Sequence, residues 1–143
     1  MLKNKIYLDT NIVADMIDPS RRGHKSSVEF LKESIVKNYT ICISEDMLST
    51  LYYISRNKRA TLNFFKNIII IDWQVLPFGK DVIAEGIDLS LENDLDLEDI
   101  LQCLCAKESG CEILITNDKV FYDCGVSIYE LAEFTSKGKV ICK

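Results

Sequence analysis

The apolar positions of this chain fall into blocks that alternate between a strand-like and a helix-like period. "KIYLD" at 5–9 is a short apolar run that predicts a strand ending near Asp9. Behind it, Ile12, Val13, Met16 and Ile17 recur at helical spacing. Asp18-Pro19 stops that helix, because the residue before a proline is pushed out of the helical region. "KSSVEFLKESIVKN" places Val28, Leu31, Ile35 and Val36 on one stripe and predicts an amphipathic helix. The β-branched "YTICIS" predicts a buried strand. Ser44 is then a good N-cap, and Glu45 and Asp46 suit the start of the helix "EDMLSTLYYISRNK", whose basic end suits a C-terminus. "TLNFFKN" predicts a helix and "IIIIDW" a strand. "KDVIAEGIDLSL" predicts a helix with a loose end at "ENDLD". "LEDILQCLCAKESG" predicts a strong helix with Leu97, Ile100, Leu101, Leu104 and Cys105 on its buried stripe and Gly110 closing it. "CEILITND" predicts a strand ending near Asp118, and "VSIYELAEF" a short strand followed by a helix.

Strands alternating with helices predict an α/β fold, a mostly parallel sheet covered by helices on both faces. In such sheets ligands sit beyond the carboxyl ends of the strands. Asp9 and Asp118 fall at strand ends of that kind, and Asp96 and Asp99 fall at a helix start on the same edge.

Composition adds limits. The chain has 143 residues, 48% of them hydrophobic and 27% charged, which suits one globular domain spanning 1–143. Pro19 and Pro77 are the only prolines, so no proline-rich linker divides it. "IIII" at 68–71 is far too short to span a bilayer, and Asp9 arrives before any signal-peptide core, so a cytoplasmic protein with no membrane contact is expected. The six cysteines, Cys42, Cys103, Cys105, Cys111, Cys124 and Cys142, form no CxxC pair, and His24 is the only histidine. Zinc is therefore disfavoured, and small buried thiols are expected. His24, beside Arg21, Arg22 and Lys25, reads as a surface residue.

Charge is uneven. Residues 1–72 hold 11 Lys and Arg against 8 Asp and Glu, whereas 73–143 hold 6 against 14. The basic residues cluster as Arg21, Arg22 and Lys25, and as Arg56, Lys58 and Arg59. Such asymmetry is either a pair of solvated loops or a surface for a charged partner. In the acidic half, Asp96 and Asp99 are three apart and share a helix face, while Glu98 points elsewhere. Carboxylates gathered at one edge repel one another and raise their pKa values unless a cation joins them. Lys119 leaves the strand end in another direction. A divalent ion is the economical answer, and all-oxygen ligation selects Mg²⁺ or Mn²⁺. The plain alternatives are helix caps for Asp96 and Asp99 and a turn for Asp118.

"YLDTNIVADMI" and "LDLEDILQCLCAKESGCEILITND", in a chain this short, resemble the PIN-domain family, most of all its small single-domain, VapC-like toxin type. The resemblance covers nearly the whole chain. It implies a three-layer α/β/α sandwich with a parallel central sheet, and a Mg²⁺- or Mn²⁺-dependent ribonuclease. Matched residue by residue, it implies Asp9, Asp99 and Asp118 as the catalytic and metal-binding acids, with Asp96 at a commonly acidic position just before them. Asn11 and Thr116 match small polar supporting positions. It further implies a protein antitoxin and a homodimer. One departure stands out: the family usually has a glutamate before an "[IL]YY"-like segment, and in "LSTLYYI" that position is Thr50. Glu45, five residues earlier, either substitutes for it or serves only the helix dipole.

Two functional readings follow. The first is an endoribonuclease whose acids hold the metal and whose Arg21, Arg22, Lys25, Arg56, Lys58 and Arg59 contact the RNA backbone. The second is a PIN-fold module that binds RNA or protein with weakened chemistry, motivated by Thr50. Haloacid-dehalogenase-type phosphatases require a second acid where Asn11 stands, and receiver domains require an early acid pair that is missing here.

Overall fold

Strand β1 (Lys5–Leu8) forms the centre of a five-stranded sheet with β2 (Thr40–Ser44), β3 (Gln74–Leu76), β4 (Ile113–Ile115) and β5 (Ser127–Tyr129). The computed structural model describes residues 4–119 and 121–135. The order is β3-β2-β1-β4-β5, and every pairing is parallel. Ile6 lies opposite Ile41 on one side and Ile113 on the other. Ile6, Tyr7, Leu8, Cys42, Ile43, Leu114 and Ile115 are all fully buried. That is why these strands read as continuous apolar runs: both faces are covered.

The covering helices are α1 (Thr10–Ile17), α2 (His24–Val36), α3 (Glu45–Ile54), α4 (Lys58–Phe64), α5 (Ile70–Asp72), α6 (Lys80–Asn93) and α7 (Leu97–Glu108). α1 packs on α2, α3 and α4, whereas α6 packs on α7, which lies against β2 and β4. The result is the α/β/α sandwich expected from the alternation of elements. The α1–α2 turn is fixed by the buried Asp15. Its carboxylate takes the Arg21 guanidinium at 2.7 Å, and its backbone oxygen meets His24 Nδ1 at 2.8 Å. His24 is thus half-buried at the start of α2 rather than a free surface residue. Gly23 is required beside it, because a Cβ there would lie 2.1 Å from Asp15 Oδ2.

The chain departs from the sequence reading at "IIIIDW". Residues Phe65–Ile69 form a π-helical turn that runs into α5, and the strand starts afterwards at Gln74. Ile69 is fully buried, while Ile70 and Ile71 are exposed. One buried isoleucine per turn is a helical pattern, and the edge-on packing of Phe64 on Trp73 fixes it, so context overrides β propensity. The helix expected over 45–58 also splits. α3 ends at Ile54, Asn57 caps α4, and the Lys58 ammonium reaches back to the carbonyls of Tyr52, Tyr53 and Ser55.

The cysteines need a second correction. Cys42, Cys105 and Cys111 are buried free thiols, but Cys103 and Cys124 form a disulfide across 21 residues. Cys142 lies outside the described residues.

Candidate functional site

In this topology β1 is where successive connections change direction: β2 and β3 lie on one side of it, β4 and β5 on the other. The carboxyl ends of β1 and β4 therefore open onto the crevice where such sheets bind ligands. Asp9 is the first residue beyond β1. Its N–H donates to the Ile115 carbonyl at 2.9 Å, extending the β1–β4 ladder, and it then caps α1. Its Oδ1 accepts the Thr10 N–H at 2.8 Å and its Oδ2 accepts the Thr116 hydroxyl at 2.7 Å. The same Thr116 oxygen accepts the Asp118 N–H at 3.0 Å. One buried threonine thus ties the carboxylate of Asp9 to the backbone of Asp118. Asn117 anchors the next peptide by accepting the Leu131 N–H at 3.1 Å.

The third acid comes from α7. Asp96 is its N-cap and accepts the Asp99 N–H at 3.1 Å, so the capping alternative holds for that carboxylate. Asp99 is half-buried in the first turn. Burial, then Asp96, Asp118, Asp9 and Glu98 in that order, push its carboxyl up to about 7. Asp9 is also raised, by burial first and Asp118 last, against the lowering hydrogen bonds from Thr116 and Thr10. The repulsion expected from a gathered set of carboxylates is therefore present. Glu98, although exposed, belongs to the same field: partial burial, Asp9, Asp46 and Asp96 raise it. Sequence reasoning set Glu98 aside and gave Asp46 no role beyond the helix start, since neither position reveals its neighbours across elements.

Below the acids lies a buried network that no motif announced. The Tyr7 hydroxyl donates to Gln102 Oε1, Gln102 Nε2 reaches Ser44 Oγ at 3.4 Å, and Ser44 caps α3 by accepting the Met47 N–H at 3.2 Å. Burial first of all drives the Tyr7 phenol far above its ordinary range, so it stays a neutral donor. The network joins the strand before Asp9, the helix of Asp99 and the start of α3. The available signal was Gln102 in "EDILQ", one turn after Asp99 on a helix otherwise apolar inside.

The remaining candidates are more dispersed. Asn11 is exposed in the first turn of α1. Glu45 is exposed in the first turn of α3, where it suits the helix dipole, and Thr50 is half-buried farther along the same helix. Of the basic residues, Arg21 is paired with Asp15, and Lys58 wraps the end of α3 with its ammonium 4.9 Å from the Tyr52 ring centre. Arg22, Lys25, Arg56 and Arg59 are exposed. Arg56 and Arg21, one residue from each basic cluster of the sequence, both lower the Asp18 carboxyl, after the stronger hydrogen bonds from Ser20.

The donor set fits a hard divalent cation in kind: carboxylate oxygens, mutual repulsion that a cation would relieve, and the buried Thr10 hydroxyl beside Asp9 without a hydrogen-bond partner. Among the described residues, however, no three acids, histidines or cysteines are closed into a cage around one point.

A profile of the PIN domain matches residues 6–126. Ribonuclease VapC1 of Aquifex aeolicus is 32% identical over 142 residues, spanning 96% of this chain and 97% of that protein. Among solved structures, Mycobacterium tuberculosis VapC20, described as a sarcin-ricin loop cleaving toxin, superposes with a TM-score of 0.68 at 15% identity, covering 85% of this chain and 95% of that one. VapBC2 of Rickettsia felis, bound to a promoter DNA fragment, gives 0.66 at 21% identity, covering 88% and 98%. A toxin–antitoxin complex of Klebsiella pneumoniae gives 0.65 at 16%, covering 88% and 97%. No described helix is long and apolar enough to cross a membrane.

Proposed function

The chain belongs to the PIN-domain family, and on that premise we propose that it is a divalent-metal-dependent endoribonuclease, the toxin of a toxin–antitoxin pair. The observation that supports the reading is that the ends of β1 and β4 and the start of α7 open onto one edge, where burial first, and then Asp96, Asp118, Asp9 and Glu98, push the Asp99 carboxyl up to about 7. Asp9, Asp99 and Asp118 would hold the Mg²⁺ or Mn²⁺, with Asp96 beside them as the cap that sets the first turn of α7. Once bound, the ion would supply Lewis-acid activation of water and neutralisation of charge growing on the scissile phosphate.

The chain's own residues do the positioning. Thr116 orients the Asp9 carboxylate and fixes the Asp118 backbone. Tyr7, Gln102 and Ser44 hold α7 and α3 in place beneath them. Arg22, Lys25, Arg56 and Arg59 meet the RNA phosphates, while Arg21 and Lys58, held by Asp15 and by the end of α3, shape that surface. The expected partners are RNA, a protein antitoxin and a second copy of the chain, in the cytoplasm. Cleavage of RNA with Mg²⁺ or Mn²⁺ by the wild type and not by Asp9→Asn is the expected result. Equal activity in the two proteins, or none with either metal, rejects it.

Thr50 supports a second reading: binding of RNA or protein with the chemistry weakened. It predicts Asp9-dependent Mn²⁺ binding by calorimetry without RNA cleavage, and Thr50→Glu would then raise activity.

A further inference from the structure

Cys103 lies four residues after Asp99 on α7, one turn along the same face. Cys124 lies six residues after Asp118, in the stretch that leaves β4. The Cys103–Cys124 disulfide therefore ties the helix that carries Asp99 to the segment that carries Asp118. Between β4 and β5 the described residues form neither helix nor strand. The upstream end of this stretch is held by Thr116 and Asn117. Downstream, the links to α7 are the disulfide, the Cys124 N–H that donates to Cys103 Sγ at 3.2 Å, and the packing of Tyr122 and Cys124 against the cluster of Val82, Ile100 and Leu104. Phe121 and Tyr122 pack against the core between these two anchors.

We propose that Cys103–Cys124 is a thiol–disulfide switch that sets the metal affinity of the Asp9, Asp99 and Asp118 site. Closed, it fixes the Asp118 segment covalently against α7; open, it leaves that contact to apolar packing and hydrogen bonds alone, loosens the segment and weakens the site. The inference rests on the reading of these three acids as metal ligands. In the cytoplasm proposed above, a disulfide is usually transient and catalytic or redox-sensing, which suits this role.

The exchange enters at Cys124, which is half-buried, whereas Cys103 is fully buried. The thiolate of a low-molecular-weight dithiol bonds to Cys124 Sγ, and the Cys103–Cys124 bond breaks with Cys103 leaving as thiolate. The second thiolate of the reagent then closes the reagent's own disulfide and releases Cys124. The protein disulfide gains two electrons and two protons, and the dithiol loses the same. A low-molecular-weight disulfide runs the sequence in reverse.

Linkage makes the effect reciprocal: if closing the disulfide strengthens metal binding, metal must make the disulfide harder to reduce by the same factor. The test uses the full chain, oxidised or reduced and then desalted, titrated with Mn²⁺ in a calorimeter. The oxidised form is expected to bind roughly tenfold more tightly, and saturating Mn²⁺ to shift the equilibrium with a dithiol by a matching factor. A Cys103→Ala, Cys124→Ala double variant, shown folded by circular dichroism, should match the reduced wild type under either condition. Equal affinity in the two redox states, with binding abolished by Asp9→Asn, overturns the switch and leaves the metal site standing. Binding that Asp9→Asn does not change, or no binding in either state, overturns the metal reading and the switch with it. Two free thiols at 103 and 124 after oxidation, counted by mass spectrometry, also overturn it.

Discussion

Thr116 is a small residue with two obligations, since one oxygen donates to the Asp9 carboxylate and accepts from the Asp118 backbone. Thr116→Val keeps the shape and removes both bonds. Leaving a buried acceptor and donor unpaired costs about 1–3 kcal/mol, so thermal unfolding should show that loss, while Thr116→Ser should stay close to wild type. The carboxylates themselves make a second prediction. Asp99, Asp9 and Glu98 are all raised in the fold, so between the ordinary carboxylate range and about pH 7 the folded chain binds more protons than the unfolded one. Stability of the metal-free protein is then full at low pH and falls as pH rises through that window. Denaturant melts at about pH 5 and about pH 8 should show it, with a smaller difference in Asp99→Asn. A higher stability at the alkaline end would contradict this picture.

At the scale of elements, the close approach of Gly23 to Asp15 locks α1 to α2. Gly23→Ala would push a methyl group onto a carboxylate that Arg21 already holds, and about 1–3 kcal/mol of stability should be lost in equilibrium unfolding. A neutral result would mean that the Asp15–Arg21 pair shifts freely. The elements that built the site were also the readable ones. Asp9 and Asp118 follow short apolar runs that the chain's alternation marks as strands, Asp99 opens a helix of clear period, and parallel topology sends those ends to one edge. "IIII" was unreadable because a β-branched run has no period of its own; the packing of Phe64 on Trp73 gave it a helical one. The Cys103–Cys124 pairing was invisible because the 21-residue separation carries no local spacing signal. Asp46 acts on Glu98 from a different helix, which no window along the chain can contain.

For the molecule as a whole, the charge asymmetry of the sequence has a partial spatial counterpart: Arg21 and Arg56, one from each basic cluster, both act on Asp18, while Asp96, Asp118, Asp9 and Glu98 all act on Asp99. RNA binding through that basic surface should weaken steeply between about 50 and 200 mM salt. Arg59→Ala should lower affinity and reduce the salt slope by about 1, measured by fluorescence anisotropy. An unchanged slope would remove Arg59 from the interface. Lys58→Ala should instead show its main effect in unfolding, because its ammonium closes the end of α3.

The hydrogen bond from Thr116 to Asp9 spans 107 residues, and the bond from the Asp9 N–H to the Ile115 carbonyl is nearly as long-range. A chain synthesised from its N-terminus therefore carries Asp9 through most of translation with only its local Thr10 N–H partner and none of its long-range ones. β1 and β2 can pair early, but the strand that completes the edge is the fourth of five. Any chemistry that needs Asp9 and Asp118 together is denied to a nascent or truncated chain and arrives only with the last quarter of the protein. Under the nuclease reading proposed above, an unfinished polypeptide lacks the set of acids that the reaction would need.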